Sequence, residues 1–317
     1  MIHSLGVGCT ALALLLGHGP QSPGHAVAVT FDDLPVVSTH PLHAALREAL
    51  TRDLLQAVLR HRVPAIGFVN ENKLADSTGD PDPARVDLLR RWLDAGLELG
   101  NHTWSHPDLH LTPLSTFEAE VLQGEVTTRR LLAERGQAPR YFRHPFLHTG
   151  RSVAVRDSLT AFLRDHGYQV APVTIDNSDY VFAEAYDRAL AAPDVDAAAR
   201  VRSAYLAYMD SVIGFYERQA QAILGRDIPQ VLLLHASRLN AASFDSLAGV
   251  FERRRYRFVS LGAALADSAY RLPDTYAGPG GITWLHRWAL TRGTPHSVFE
   301  GEPEVPDWVV LAARREP

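Results

Sequence analysis

Short apolar or β-branched runs alternate along this chain with longer stretches in which apolar residues recur every three or four positions. The first pattern predicts buried strands and the second amphipathic helices, so their alternation predicts βα units around a parallel sheet. Strands are expected over residues 26–31, 65–69, 97–100, 141–143, 169–175, 230–234 and 257–260. Helices are expected over 42–61, 84–95 and 115–135, the last begun by Ser115 and Glu118 at capping-box spacing. Residues 179–229 are too many for one crossover and hold two helical stretches, 183–192 and 194–224, which read as an insertion on the rim. From residue 270 onward Gly, Pro and Trp are frequent, and this end reads as a packing arm with Trp284 and Trp288 in the core.

Several polar residues stand at or just past the ends of the expected strands: Asp32 and Asp33, His102, Arg143, Asp176 and Asp179, and His235. In a βα barrel the carboxyl ends of all strands share one face, where active sites are built, so these distant residues are expected to converge. His102 and His106, four positions apart, together with Asp33 from a separate strand end, have the make-up of a three-ligand catalytic divalent site with a position left open for water. Two surface histidines, and a turn in which Asp33 caps the chain before Pro35, are the plainer alternatives. Thr103 stands where the zinc helix of a metallopeptidase requires glutamate. The adjacent Asp32 and Asp33 are poorly spaced to flank a glycosidic bond. Arg143, on an apolar strand beside Tyr141 and Phe142, keeps its charge when buried and needs a carboxylate, for which Asp32 is the candidate. His235 closes the apolar run before it, either as a hydrogen-bonded core histidine or as an acid aimed into the barrel mouth.

Composition narrows the class further. A chain of 317 residues with 46% hydrophobic content can bury one large α/β barrel. A formal charge of -5, from 31 basic and 36 acidic side chains, leaves no nucleic-acid footprint. Lys73 is the only lysine and sits in a polar loop, so Schiff-base and P-loop chemistry are set aside. The apolar run over residues 5–16 is too short to span a bilayer and suits the core of a secretory signal. Residues 1–25 are therefore expected to be a signal and leader, leaving a secreted or periplasmic protein with no stable membrane insertion; the alternative, a start that is not a signal, makes it cytoplasmic. Cys9, the only cysteine, lies inside that run, so the body has neither a disulfide framework nor a thiolate site.

Five motifs now stand in order: Thr30-Phe31-Asp32-Asp33-Leu34-Pro35, His102-Thr103-Trp104-Ser105-His106, Arg143-His144-Pro145-Phe146, Asp176-Asn177-Ser178-Asp179-Tyr180 and Leu233-Leu234-His235. From about residue 26 to 266 the chain thereby resembles the polysaccharide deacetylase family, the NodB-homology domain of carbohydrate esterase family four. Leu34 replaces a family glycine and Tyr180 a family tryptophan. The resemblance implies a distorted (β/α)7 barrel over residues 26–268, with a helical insertion at about 181–229 and the arm, 269–317, packed on it. It implies metal-dependent removal of acetyl groups from an N-acetylated, or O-acetylated, polysaccharide. By the same resemblance Asp32 is the general base, Asp33, His102 and His106 hold one divalent ion, and His235 is the general acid. Arg143 orients Asp32, Asp179 tunes His235, the backbone N–H of Phe146 helps hold the oxyanion, and Pro145 and Tyr180 line the sugar groove. Ligands of N and O type favour zinc, with cobalt and nickel as alternatives. Two other functions remain open at this point: the same barrel acting on a small non-sugar amide, and a catalytically silent glycan-binding module. The intact Asp32, metal set and His235 speak against the second. The glycan and the oligomeric state are left open.

Overall fold

The computed structural model describes residues 25–38, 40–191, 194 and 196–314; the apolar run at 5–16 and Cys9 lie outside the described residues. In chain order the elements begin β1 (Ala26–Leu34), α1 (Ala44–Arg60), β2 (Ile66–Val69), α2 (Pro83–Asp94), β3 (Glu98–Asn101), α3 (Leu114–Gln123), α4 (Val126–Ala133), β4 (Tyr141–Phe142), α5 (Val153–Asp165) and β5 (Gln169–Val170). They continue with α6 (Asp179–Ala191), α7 (Ala197–Leu224), β6 (Gln230–His235), α8 (Arg238–Arg253), β7 (Arg257–Phe258), α9 (Leu261–Leu265), α10 (Trp284–Thr291) and α11 (Asp307–Arg314). Among the described residues, no helix is long and apolar enough to cross a membrane.

The strands form a parallel sheet in the order β5-β4-β3-β2-β1-β6, with β7 paired to the start of β1. The sheet curls into the expected barrel, and the segment after β5 joins its ends. Ala171 still donates its N–H to Phe142, but Thr174 and Ile175 donate to Val231, and Leu233 donates to Ile175. The strand expected over 169–175 is therefore split: its first part pairs with β4 and its last residues bridge β6 at Ile175 and Leu232. Ring closure, a long-range requirement, causes this break in a locally uniform apolar run.

Strand alternation then sorts the side chains. Along β1, Val27, Val29 and Phe31 pack against the surrounding helices, whereas Ala28 packs with Ile66, Phe68, Tyr141, Ala171 and Val231 in a separate cluster inside the barrel. That inner cluster is closed below by Leu261, Ala264 and Leu265 of α9. Two and four residues beyond Ala28 come Thr30 and Asp32; two and four beyond Val231 come Leu233 and His235. The interior thus runs from an apolar base to a polar mouth because the apolar alternation ends in carboxylate and imidazole.

The helix expected over 115–135 is two helices, α3 and α4. A Cβ on Gly124 would lie 2.3 Å from the backbone carbon of Thr103, so glycine permits the approach of the loop after β3. The new N-terminus of α4 is satisfied from a distance: the buried Glu71 accepts the N–H groups of Thr127 and Thr128 at 2.8 and 2.6 Å. The Ser115–Glu118 capping box does not form; α3 starts one residue earlier, with Pro113 at the cap and no side-chain cap bond. In the rim segment, the first helix begins at Asp179 rather than at residue 183.

The arm is fastened by long-range contacts. Trp284 and Trp288 are buried, and Trp284 donates its N–H to Val173 at 2.8 Å. Arg287, also buried, pairs with Asp274 and donates to Thr149 Oγ1 at 2.7 Å.

Candidate active site

Asp33 stands at a bulge in β1. Thr30 and Phe31 pair with Ile66 and Gly67, but Leu34 pairs with Val69, so β1 carries one residue more than β2 across this step. Asp33 absorbs it with φ of 70°, and the two adjacent aspartates reach one cavity instead of opposite faces. Leu34, in place of the family glycine, is fully buried and its side chain occupies the space over Gly67.

The histidines come from a tight loop, not from a helix. Thr103 and His106 adopt φ of 69° and 60°. Asn101 accepts the Thr103 N–H at 2.7 Å, Thr103 Oγ1 accepts the His106 N–H at 3.1 Å, and the Glu120 carboxylate accepts from Ser105 N and Oγ at 2.7 and 2.9 Å. His102 Nδ1 lies 2.8 Å from the carbonyl of Arg143 and donates to it, which leaves the Nε2 lone pair facing Asp33. Burial holds the His102 pKa well below its ordinary value and also lowers that of His106, so both rings are neutral, as a metal ligand must be.

His102 Nε2 and His106 Nε2 lie 3.9 and 3.8 Å from Asp33 Oδ1. The edge of a tetrahedron with metal bonds of about 2.1 Å is roughly 3.4 Å, so a small inward movement seats one ion. Asp33 Oδ1 is a buried atom without a hydrogen-bond partner among the described residues. The trio therefore fits a divalent cation by donor type, spacing and unmet bonding. Burial alone would raise the Asp33 pKa, but the charges of Lys73 and His235 outweigh it and hold the carboxyl far below its usual range. Lys73, set aside on sequence, belongs to this neighbourhood: its Nζ is 3.3 Å from Asp33 Oδ1 and donates to the Asp33 carbonyl at 3.1 Å.

Asp108, His110 and His148 form a second group of ligand-type side chains. The His110 and His148 rings stack 3.8 Å apart at 8°. A metal must lie near the plane of each imidazole it binds, and two nearly parallel planes at that separation share no such point. Asp108 instead pairs with His148 Nδ1 at 2.7 Å, tying the loop that carries His106 to the loop that carries Phe146.

Asp32 and Arg143 meet inside the barrel. Arg143, with 0% exposure, donates from Nε to Ala171 O at 2.9 Å, from Nη2 to Thr30 Oγ1 at 3.0 Å and from Nη1 to Asp32 Oδ2 at 3.3 Å. Burial raises the Asp32 pKa to about 6 against the opposing pull of Arg143 and His235. Asp32 Oδ1 has no hydrogen-bond partner among the described residues and faces the cavity.

His235 is the register partner of Asp32 on β6. Its Nδ1 lies 2.6 Å from Asp179 Oδ1, and its own N–H donates to Asp179 Oδ2 at 2.9 Å. Burial opposes the imidazolium, but the ion pair with the buried Asp179 prevails and raises the His235 pKa to about 9. Asn240 on α8 donates to Asp179 Oδ2 at 2.7 Å and is itself held by Tyr205 of α7 at 2.7 Å. Neither partner carried a local signal, because each acts from a helix brought in by the rim insertion or the last crossover.

These groups open into a cavity of about 810 Å³. Tyr180, 60% exposed, lines it and forms an edge-on contact with His235 at 6.3 Å. Pro145, expected in the groove, is buried and does not line the cavity; Phe146, which turns through positive φ to 54% exposure, and the buried Leu147 after it do. Asp176 lines the same cavity, its pKa raised to about 6 by burial. Sequence reading did not place Tyr208 of α7 or residues 302–305 of the arm here.

The arm also supports the loop of Phe146. A Cβ on Gly281 would fall 1.8 Å from the Phe146 carbonyl oxygen. Gly281→Ala is expected to cost about 1–3 kcal/mol as an overpacking change, read by denaturant unfolding. Native stability would show that this contact relaxes freely.

The family model described as Polysaccharide deacetylase matches residues 19–171. A chitin deacetylase of Colletotrichum lindemuthianum is 29% identical over 154 residues, which are 49% of this chain and 52% of that protein. A chitooligosaccharide deacetylase of Bradyrhizobium sp. (strain ANU 289) is 32% identical over 135 residues, 42% of this chain and 52% of that one. The chain thus spans about half the length of these curated relatives. The solved structure of the Colletotrichum lindemuthianum chitin deacetylase aligns with a TM-score of 0.48 at 24% identity, covering 77% of this chain and 88% of that chain.

Proposed function

We propose, from the match of residues 19–171 to the polysaccharide deacetylase family model and from the site geometry, that this chain is a metal-dependent hydrolase that removes acetyl groups from N-acetylated glycans. The observation that carries the proposal is the pairing of Asp32 and His235 across adjacent strands, a buried carboxylate and a charged imidazole on either side of one mouth that also holds the Asp33, His102 and His106 trio.

In this reading Asp33, His102 and His106 hold the ion, zinc by preference for N and O donors. When bound, a divalent ion supplies Lewis acidity toward the acetyl carbonyl. Asp32, oriented by Arg143, takes the proton of the attacking water. The backbone N–H of Phe146 faces the oxygen on which negative charge develops. His235, kept protonated by Asp179, donates a proton to the nitrogen as the C–N bond breaks, because an amine does not depart as an anion. Tyr180 forms the sugar-facing wall. Export is part of the proposal and rests on the apolar run at residues 5–16.

The testing experiment is acetate release by purified protein from N-acetylated oligosaccharides, peptidoglycan, acetylated xylan and a panel of small amides, before and after chelator dialysis. Release from an N-acetylated glycan, abolished by the chelator and restored by zinc, is expected. Undiminished release in chelator would overturn the metal role, and no release from any glycan by folded, zinc-loaded protein would overturn the glycan reading. A second reading, a small non-sugar amide as substrate, draws on Tyr208 and the arm, which wall the cavity. It predicts release from the amide panel alone.

A further inference from the structure

Part of the cavity wall comes from outside the family-matched residues 19–171. Residues 302–305 of the arm and Tyr208 of α7 face the same space as Asp33 and His235. Its volume, about 810 Å³, is that of a pocket enclosing a small ligand, for which about 300–1,000 Å³ is typical.

This wall is pinned rather than loosely draped. Tyr216 of α7, 1% exposed, donates to Glu302 Oε1 at 2.7 Å. Gln219, one helical turn on, donates to the Val298 carbonyl. Beyond the wall, Val309 of α11 is fully buried, and Val310 and Ala313 line a second cavity of about 640 Å³. The two cavities share Val37, Tyr180 and His235. Sugar units on the leaving-amine side of His235 therefore have room along α11, whereas a chain extending across the arm meets Glu302, Pro303 and Glu304.

The wall also has a sign. Among the described residues, the cavity lining includes no lysine or arginine, while Asp32, Asp33, Asp176, Glu302 and Glu304 all line it. The ion and Arg143 offset Asp33 and Asp32. Asp176 lies within the field of Arg143 and the protonated His235, whereas no salt bridge to Glu302 or Glu304 forms among the described residues, and these two would repel an incoming carboxylate.

Resting on the deacetylase reading above, we propose that arm residues Glu302, Pro303 and Glu304 set specificity. They make the site end-on, so that it takes short amino-sugar oligomers or chain ends that are neutral or carry free amines. Interior units of a long chain and sugars bearing carboxylates are disfavoured.

The test uses the full zinc-loaded chain and a fully N-acetylated pentamer of an amino sugar. Its companions are a soluble, partly acetylated polymer and a carboxylate-bearing oligomer of matched length. NMR locates the acetyl group lost first, and kcat/KM is compared per acetylated unit. The expected result is loss from one terminal position, with polymer and carboxylate-bearing oligomer each disfavoured by about tenfold or more. Glu302→Gln combined with Glu304→Gln should narrow the gap between carboxylate-bearing and neutral oligomers, and Tyr216→Phe, which deletes one hydroxyl from a buried ring, should relax the end preference. Interior loss at the terminal rate, or specificity ratios unmoved in variants with native melting, would overturn the inference while leaving the deacetylase reading intact. Acetate from small amides but from no glycan would overturn that reading first and this inference with it.

Discussion

Asp32→Asn is expected to purify with its divalent ion and to release acetate about 10² to 10⁴ times more slowly than the native chain. Asparagine keeps the shape of the side chain and a carbonyl oxygen for Arg143 Nη1, now 3.3 Å from Asp32 Oδ2, but cannot take a proton from water. His102→Ala supplies the contrast. It removes one of three ligands together with the Nδ1–H donated to the Arg143 carbonyl, so both ion and activity should go. Metal content by elemental analysis and turnover on one N-acetylated oligosaccharide check both arms. A native rate for Asp32→Asn would remove Asp32 as base, and a defect explained wholly by metal loss would move Asp32 into the ligand set.

His235→Ala should cut amide hydrolysis steeply, by about 10² or more, while sparing an activated acetate ester in comparison, because a nitrophenolate leaves without a proton. The variant is expected to fold: Asp179 keeps the backbone N–H of residue 235 and the Asn240 amide as partners. The pH dependence has a definite sign. With its pKa raised from 6.5 to about 9, native His235 is the acid until pH passes about 9, so amide turnover should fall on that side. The stability drawn from its pair with Asp179 is complete below 6.5 and is lost as pH rises through about 9. Asp179→Asn should pull the basic limb toward lower pH. Parallel losses on amide and ester, with a large drop in melting temperature, would make His235 a structural core histidine instead.

Much of the barrel was legible because its signals are local. A strand buried on both sides is a short apolar run, and its polar end marks the carboxyl face, so Asp32, His102, Arg143 and His235 were located by position alone. Position also marked Asp179, to which the resemblance gave a role, and the resemblance alone added Phe146, which no local pattern singles out. Pro145 does not line the cavity: a motif specifies the order of residues but not the positive φ that turns Phe146 outward while the proline stays buried.

Alternation, helix-forming stretches and the polar strand ends were determined by the sequence itself, since each depends on backbone geometry and side chains within a few residues. Tertiary structure alone decided how they meet. The β1 bulge appears only against β2, and it brings Asp33 beside Asp32. Ring closure splits the run at 169–175, and the pressure of Thr103 on Gly124, with Glu71 capping from afar, divides one expected helix into two. Lys73 pairs with Asp33, Tyr205 with Asn240, Asn240 with Asp179 and Glu302 with Tyr216, each across a long stretch of chain. Their places follow from which surfaces pack together, a property of the whole chain that the periodicity of any one segment does not contain.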